Sequence, residues 1–316
     1  MVAFFVQCNF KLPIRYRFLK RKVMETKRGK WFGGSLLVIS VIILAAFNVK
    51  RLEQQSISLE EAIAAGQIKM QANSLGTYSE ESVLLKIQNY TPNILKVKVK
   101  AGTMFAPTDE GEQTLITVDD QFIVLQAKSA NQINLKAYCT EASDHCPTND
   151  GVFSLVTNKN AELIKLVAFV RGKSISAQCY QDAIWALTDA RPISNIQATT
   201  ATDKELRKYI SSSTNKPDTW YTTPQSRVVD ENRNIQQETI IVKGTITFTC
   251  EKGSVVHQEL VKKNGDLMYK SDKTNTLQTG KVDFSFTVKV RGWEEGEYAV
   301  RVMAGTKELT RYPFVI

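Results

Sequence analysis

The chain has 316 residues, 43% hydrophobic and 23% charged, with 41 Lys and Arg against 32 Asp and Glu for a formal net charge of +9. Residues 1–51 hold 11 of those basic side chains and a single acid, Glu25, so the rest of the chain nets −1. The basic excess belongs to the N-terminus, which removes the main support for nucleic-acid binding, and no nucleic-acid partner is expected.

Residues 1–30 form a basic segment that includes Arg15, Arg17, Lys20, Arg21, Lys22, Lys27, Arg28 and Lys30. Trp31 to Val49 (WFGGSLLVISVIILAAFNV) carries no charge. About 18–20 apolar residues cross a bilayer, and a basic flank stays cytoplasmic. Residues 31–49 therefore predict one transmembrane anchor with the body outside the cytoplasm, periplasmic or at the cell surface. The competing reading starts the chain at Met24 and makes the same stretch a cleaved secretion signal, with Leu44-Ala45-Ala46 as a weak cleavage site. Both readings export residues 52–316, enough chain for two domains.

Ser58-Leu59-Glu60-Glu61 reads as a capping box, opening a short helix from Leu59 that Gly66 closes. Residues 58–139 then predict a small β-sandwich. VLLKIQN (83–89), ILKVKVKAG (94–102), TLITV (114–118), FIVLQ (122–126) and QINLKAYC (132–139) alternate with period two between turn residues. Asn89-Tyr90-Thr91 also fits a glycosylation sequon.

Residues 140–210 predict a helical, cysteine-containing region. Leu163, Leu166, Val167 and Val170 share one helical face. AQCYQDAIWAL (177–187) follows Ser176 as N-cap. Thr202-Asp203-Lys204-Glu205 reads as a capping box for a third short helix, through Tyr209. The polar run 211–236 predicts a linker. Residues 237–316 predict an Ig-like β-sandwich of about seven strands, with a hairpin at Asn264-Gly265. Its segment GEYAVRVMAGTKELTRYPFVI is similar to the last strands of bacterial Ig-like modules. The expected fold is mainly β: two Ig-like sandwiches, a small helical insert and one N-terminal transmembrane helix.

The chain has no Gly-x-Ser-x-Gly, His-Glu-x-x-His or P-loop pattern. Its two histidines, His145 and His257, read as surface residues, and the pairs Asp119-Asp120 and Glu294-Glu295 as solvated turns. No metal, cofactor or enzymatic turnover is expected.

Two short motifs stand out: Tyr138-Cys139 at the end of a strand, and Gln181-Asp182-Ala183-Ile184-Trp185 on a helix. Together they resemble the thioester domains of bacterial surface adhesins, which carry an aromatic–Cys motif and a later Gln-x-Ala-Ile-Trp. The resemblance covers roughly residues 137–188. It implies that the Cys139 sulfur condenses with the Gln181 carboxamide and loses ammonia, with Tyr138 and Trp185 as supporting residues. The product would be an electrophile open to a lysine amine or a hydroxyl on a target, kept dry until that target arrives.

The competing reading is a disulfide, since Cys139, Cys146 and Cys179 fall within 41 residues of exported chain. Cys139–Cys146 would staple a loop. Cys146–Cys179 would pin that loop to the helix and leave Cys139 free. Cys139–Cys179 would abolish the thioester. Geometry decides among them. Cys250 reads as a small buried hydrophobe.

The functional expectation is an envelope-anchored, exported binding or adhesion protein with a protein or cell-surface ligand. The alternative is a non-catalytic structural or accessory module of a bacterial envelope complex. An enzyme would need a deep pocket of Asp, Glu, Tyr and Ser.

Overall fold

The computed structural model describes residues 56–156, 160–251, 253–271, 275–276 and 280–316. The basic segment 1–30, the apolar stretch 31–49, Met24 and Leu44-Ala45-Ala46 lie outside the described residues. Among the described residues no helix is long and apolar enough to cross a membrane.

The described chain is mainly β, arranged in several sheets. It opens with β1 (Ile57–Ser58) and α1 (Leu59–Ala64). The Ser58 hydroxyl accepts from the Glu61 N–H, and the Glu61 carboxylate accepts from the Ser58 N–H at 3.1 Å, so the capping box is complete. Then come β2 (Ile68–Ser74), β3 (Glu81–Asn89), β4 (Leu95–Val99), β5 (Met104–Pro107), β6 (Leu115–Ile116), β7 (Gln121–Leu125), β8 (Ala130–Lys136), β9 (Tyr138–Cys139) and β10 (Val152–Leu155). One sheet runs β8-β3-β2-β10-β5-β6-β9, and a smaller one β1-β4-β7. Alternation decides the faces: Val83, Leu85 and Ile87 of β3 are buried, as are Val97 and Val99 of β4.

β10 lies between β2 and β5, in the interior of the larger sheet. Its residues fall within the stretch expected to be helical, and four residues are too few to show a period of two. The helices α2 (Ala161–Val170), α3 (Ala177–Thr188) and α4 (Ala201–Thr214), with a short 3₁₀ turn at Ile193–Asn195, share one core with these strands. Leu166, Val170, Ile184, Trp185, Leu206 and Ile210 join Leu85, Phe105 and Leu135 in a single cluster. The helices are therefore a layer of the first unit and not a separate insert.

The cap of α4 is shifted from its expected place. Thr200, not Thr202, is the N-cap, its hydroxyl accepting from Asp203 N–H while Asp203 accepts from Thr200 N–H at 3.1 Å. Asp203 also accepts from the Ser176 N–H and hydroxyl. Ser176 is the N-cap residue of α3 but makes no cap bond with its side chain. One buried carboxylate thus ties the starts of two helices.

The second unit has its own core, built from Val242, Ile246, Phe284, Phe286, Val300, Val302 and Phe314 among others. Its strands are β11 (Tyr221–Thr222), β14 (Ile241–Cys250), β15 (Val255–Lys262), β16 (Leu267–Lys270), β17 (Asn275–Thr276), β18 (Gly280–Lys289), β19 (Glu297–Ala304) and β20 (Lys307–Val315). They pair as β11-β14-β18 and as β16-β15-β19-β20, with β17 also on β15. Gly265 turns between β15 and β16 at φ +94°, a conformation that favours glycine.

The polar run 211–236 is not a bare linker. It holds the end of α4, β11, β12 (Gln225–Val229) and the start of β13 (Ile235–Thr239). Among the described residues β12 and β13 pair only with each other. Ile235 packs against the first unit's core, while Asp230 accepts from Asn232 N–H and Asn234 N–H to form the tip. Arg207 of α4 reaches Asp218, Thr219 and the carbonyl of Tyr221 where the units join.

Three surface expectations change on folding. Asn89 is fully buried, its amide donating to Asn93 and Gln126 carbonyls, so the sequon is an Asx turn inside the sheet. His257 is buried on β15 with Nε2 3.0 Å from Glu259. Asp120 is not simply solvated: it accepts from the Ala101 N–H at 2.9 Å and pairs with Lys98 at 2.6 Å and Arg171 at 3.0 Å.

Burial alone would raise the Asp120 carboxyl. Lys98, the Ala101 N–H and Arg171 outweigh it and hold the group at about 2. Its folded value lies below the unfolded one of about 3.9, so its stabilisation is complete above that value. It is lost as pH falls through the folded value of about 2. Acid titration of the unfolding midpoint should show this, with Asp120→Asn less stable than wild type at neutral pH and the two converging in strong acid.

Gly244 on β14 faces Trp220: a Cβ there would lie 2.6 Å from the Trp220 carbonyl oxygen and 2.8 Å from its ring. Gly244→Ala is expected to cost about 1–3 kcal/mol through forced repacking, read as a lower unfolding midpoint.

Candidate functional site

β9 is only two residues long and ends the seven-stranded sheet, paired on one side with β6. Its free side faces α3. The Cys139 N–H donates to the Tyr78 carbonyl at 2.9 Å and to Gln181 Oε1 at 3.2 Å. Gln181 Nε2 donates back to the Cys139 carbonyl at 2.8 Å. The carboxamide thus pairs with the edge-strand backbone as a neighbouring strand would. Cys139 is 0% and Gln181 1% exposed.

The fold therefore brings together the two residues singled out in the sequence, across 42 positions. Both terminal atoms of the Gln181 side chain are engaged by Cys139 backbone. Burial pushes the Cys139 thiol well above its usual range, and the neighbouring Cys146 and Glu141 push the same way. The group is a neutral thiol.

Aromatic rings surround the pair. Tyr138 lies 5.5 Å from Tyr180, and Tyr78 stacks on Trp185 at 6.0 Å and 24°. Burial raises both the Tyr138 and Tyr180 phenols. Trp185, the last residue of the helix motif, is buried with the Arg227 guanidinium 4.9 Å from its ring.

Arg227 comes from β12, outside the expected site. It pairs with Asp182, which also accepts from Gln178 at 3.0 Å. The two side chains are 6% and 0% exposed. Burial pushes the Asp182 carboxyl up, against the pull of Arg227 and Gln178. Arg227 Nε, Trp185 Nε1 and the Tyr180 hydroxyl are buried with no hydrogen-bond partner.

A second arginine fastens the hairpin. Arg233 bonds Glu112, Thr148 and, at 3.3 Å, the Cys146 carbonyl. Its own carbonyl accepts from the Cys146 N–H at 2.8 Å. The hairpin β12–β13 is thus a strap fastened beside the Cys139–Gln181 pair, at Asp182 next to Gln181 and at Cys146. Its signal in the sequence was the pairing of QSRVV with IQQET around Asp230-Glu231-Asn232-Arg233-Asn234, masked by the polarity of the run.

The disulfides expected among Cys139, Cys146 and Cys179 are not formed: all three are buried free thiols. Cys139 is on β9, Cys179 on α3 and Cys146 in the loop between β9 and β10. The Cys146 thiol donates to the Gly76 carbonyl at 3.7 Å and that of Cys179 to the Asp203 carbonyl at 3.9 Å. Burial pushes Cys146 up to about 11, with Arg233 pulling against it. Among the described residues no group of three or more His, Cys, Asp or Glu side chains is placed to hold a metal ion.

No protein-family profile matches the chain, and no curated protein does. Among solved structures, a red sea bream transglutaminase is similar at 10% identity and a TM-score of 0.18, over 81% of this chain and 32% of that one. A β-glucosidase from Kluyveromyces marxianus gives 12% and 0.19, over 74% and 44%. One from Streptomyces venezuelae, in complex with D-glucose, gives 10% and 0.16, over 80% and 48%. The chain spans about a third to a half of the length of these structures. Likeness at this level says nothing of fold or activity.

Proposed function

We propose that this chain is an envelope-anchored, exported binding or adhesion protein whose Cys139–Gln181 pair captures a target covalently. Two Ig-like units behind a membrane-spanning stretch at residues 31–49 would carry the pair outside the cytoplasm. The observation that supports the reading is the direct contact of Gln181 with Cys139 in a site closed to water. In the condensation, the Cys139 Sγ–Gln181 Cδ bond forms and the Cδ–Nε2 bond breaks. The thiol proton leaves with the amide nitrogen as ammonia. A lysine amine or a hydroxyl of the target then takes the acyl group and returns the proton to the sulfur. Capture happens once per molecule, without turnover.

A second reading is favoured by the same contact. A carboxamide with both ends satisfied by Cys139 backbone is a structural clamp on an edge strand. The protein would then be a non-catalytic accessory module of an envelope complex. Intact mass of the purified, non-reduced chain separates the two. Capture predicts a deficit of about 17 Da for lost ammonia, replaced by a methylamine adduct on treatment. Gln181→Ala should show neither. Full theoretical mass in the wild-type chain, unchanged by methylamine, would leave the clamp reading standing.

A further inference from the structure

A cleft of about 630 Å³ opens where the two units meet, between the Ile193–Asn195 turn, the β12–β13 hairpin and the loop around Trp293. That volume is within the range of about 300–1,000 Å³ that small-molecule sites occupy. Its polar wall is Ser194, Asn195, Thr223, Gln225 and Gln237. The Thr223 hydroxyl lies 3.0 Å from the Ser194 hydroxyl and 2.7 Å from Asn195 Oδ1. All three side chains are buried, so this part of the wall is set before any ligand arrives.

The two glutamines are different. Gln225 Oε1 and both Oε1 and Nε2 of Gln237 are buried with no hydrogen-bond partner. Buried amides without partners are rare and destabilising. Terminal amide torsions are soft, so both groups can turn to meet a ligand in the cleft they line. Trp293 supplies a half-buried indole, backed by the Tyr298 ring at 5.3 Å. The lining carries no excess of either sign beyond a paired group: Glu238 is held by Arg291 at 3.0 Å, and Arg191 and Glu295 contribute one charge of each sign.

Amides that donate and accept, fixed hydroxyls, one aromatic platform and balanced charge match a ligand that is neutral, rich in hydroxyls and apolar on one face. We propose that the junction cleft binds a neutral pyranoside of one or two rings. The inference is independent of whether Cys139 and Gln181 condense, since neither lines the cleft.

The test titrates the full-length protein with glucose, N-acetylglucosamine, the β-1,4 dimer of the latter, cellobiose, maltose and glucuronate. Tryptophan fluorescence and saturation-transfer NMR report binding. Saturable binding of at least one neutral sugar is expected, weakened about tenfold or more by Trp293→Ala or by Gln237→Leu, as loss of one good contact implies. Gln237→Leu should also raise the unfolding midpoint, because it removes an amide the empty cleft leaves unpaired. It decides the matter should Trp293→Ala fail to fold. Binding by none of the neutral sugars would overturn the proposal. So would binding that survives Gln237→Leu, a lower midpoint in that variant, or tighter binding of glucuronate than of glucose.

Discussion

Asp182→Ala is expected to destabilise the first unit by about 3–5 kcal/mol, because it leaves the Arg227 guanidinium buried with no counter-charge. The pair is 6% and 0% exposed, so water cannot replace the lost partner without opening the hairpin. Urea unfolding followed by circular dichroism measures the cost. Removing both charges should be much milder than removing one. Asp182→Leu with Arg227→Met leaves no orphaned ion, and replacing a buried pair by apolar groups is often neutral or better. The Arg227 Nε has no hydrogen-bond partner that could take over from Asp182. The same variant tests the strap. With Asp182 gone the hairpin loses one of its two arginine anchors, and Cys139 should become reachable by iodoacetamide under native conditions. If Asp182→Ala left both the midpoint and the labelling unchanged, the hairpin would not be fastened through Arg227.

What could be read from the sequence followed the strength of local patterns. The Ser58 capping box, the apolar face of α2, the strands of the second unit and the Asn264-Gly265 turn all rest on contacts a few residues apart, and each formed. The pattern failed where a distant partner set the outcome. β10 is a strand because β2 and β5 flank it, not because VFSL shows a period. β12 and β13 looked like linker because their inward residues are Arg227 and Gln237, polar side chains that find places at the junction rather than in an apolar core. Asp120 looked solvated because its neighbours Asp119 and Gln121 are polar, and His257 because a lone histidine between Val256 and Gln258 does not reveal which strand face it takes. Lys98, Arg171 and Glu259 meet them only in the folded chain. The candidate site divides in the same way. Cys139 and Gln181 stood out by their residue types, while Tyr78, Asp182, Arg227 and Arg233 took roles that only the pairing of β9, α3 and the hairpin creates.

Trp185→Ala should cost about 3–5 kcal/mol, the range for deleting a fully buried aromatic side chain. The indole is at the centre of the site: Tyr78 stacks on one side, Arg227 lies over the ring, and the shared core packs around it. Two smaller terms act in opposite directions. The Arg227 contact adds about 0.5–2 kcal/mol of cation–π attraction. The buried Nε1, which has no acceptor, subtracts about 1–3 kcal/mol. Trp185→Phe separates them, since it keeps an aromatic face and removes the unpaired N–H. It should therefore recover most of what Trp185→Ala loses, even though phenylalanine leaves a small void. Thermal unfolding of the two variants decides which term governs. A Phe variant as unstable as the Ala variant would mean that Nε1 meets a partner, such as an ordered water bridging it to Asp182 Oδ2. The polar atoms around Trp185 would then form one hydrated network, and the strap would be held by that water as much as by the ion pair.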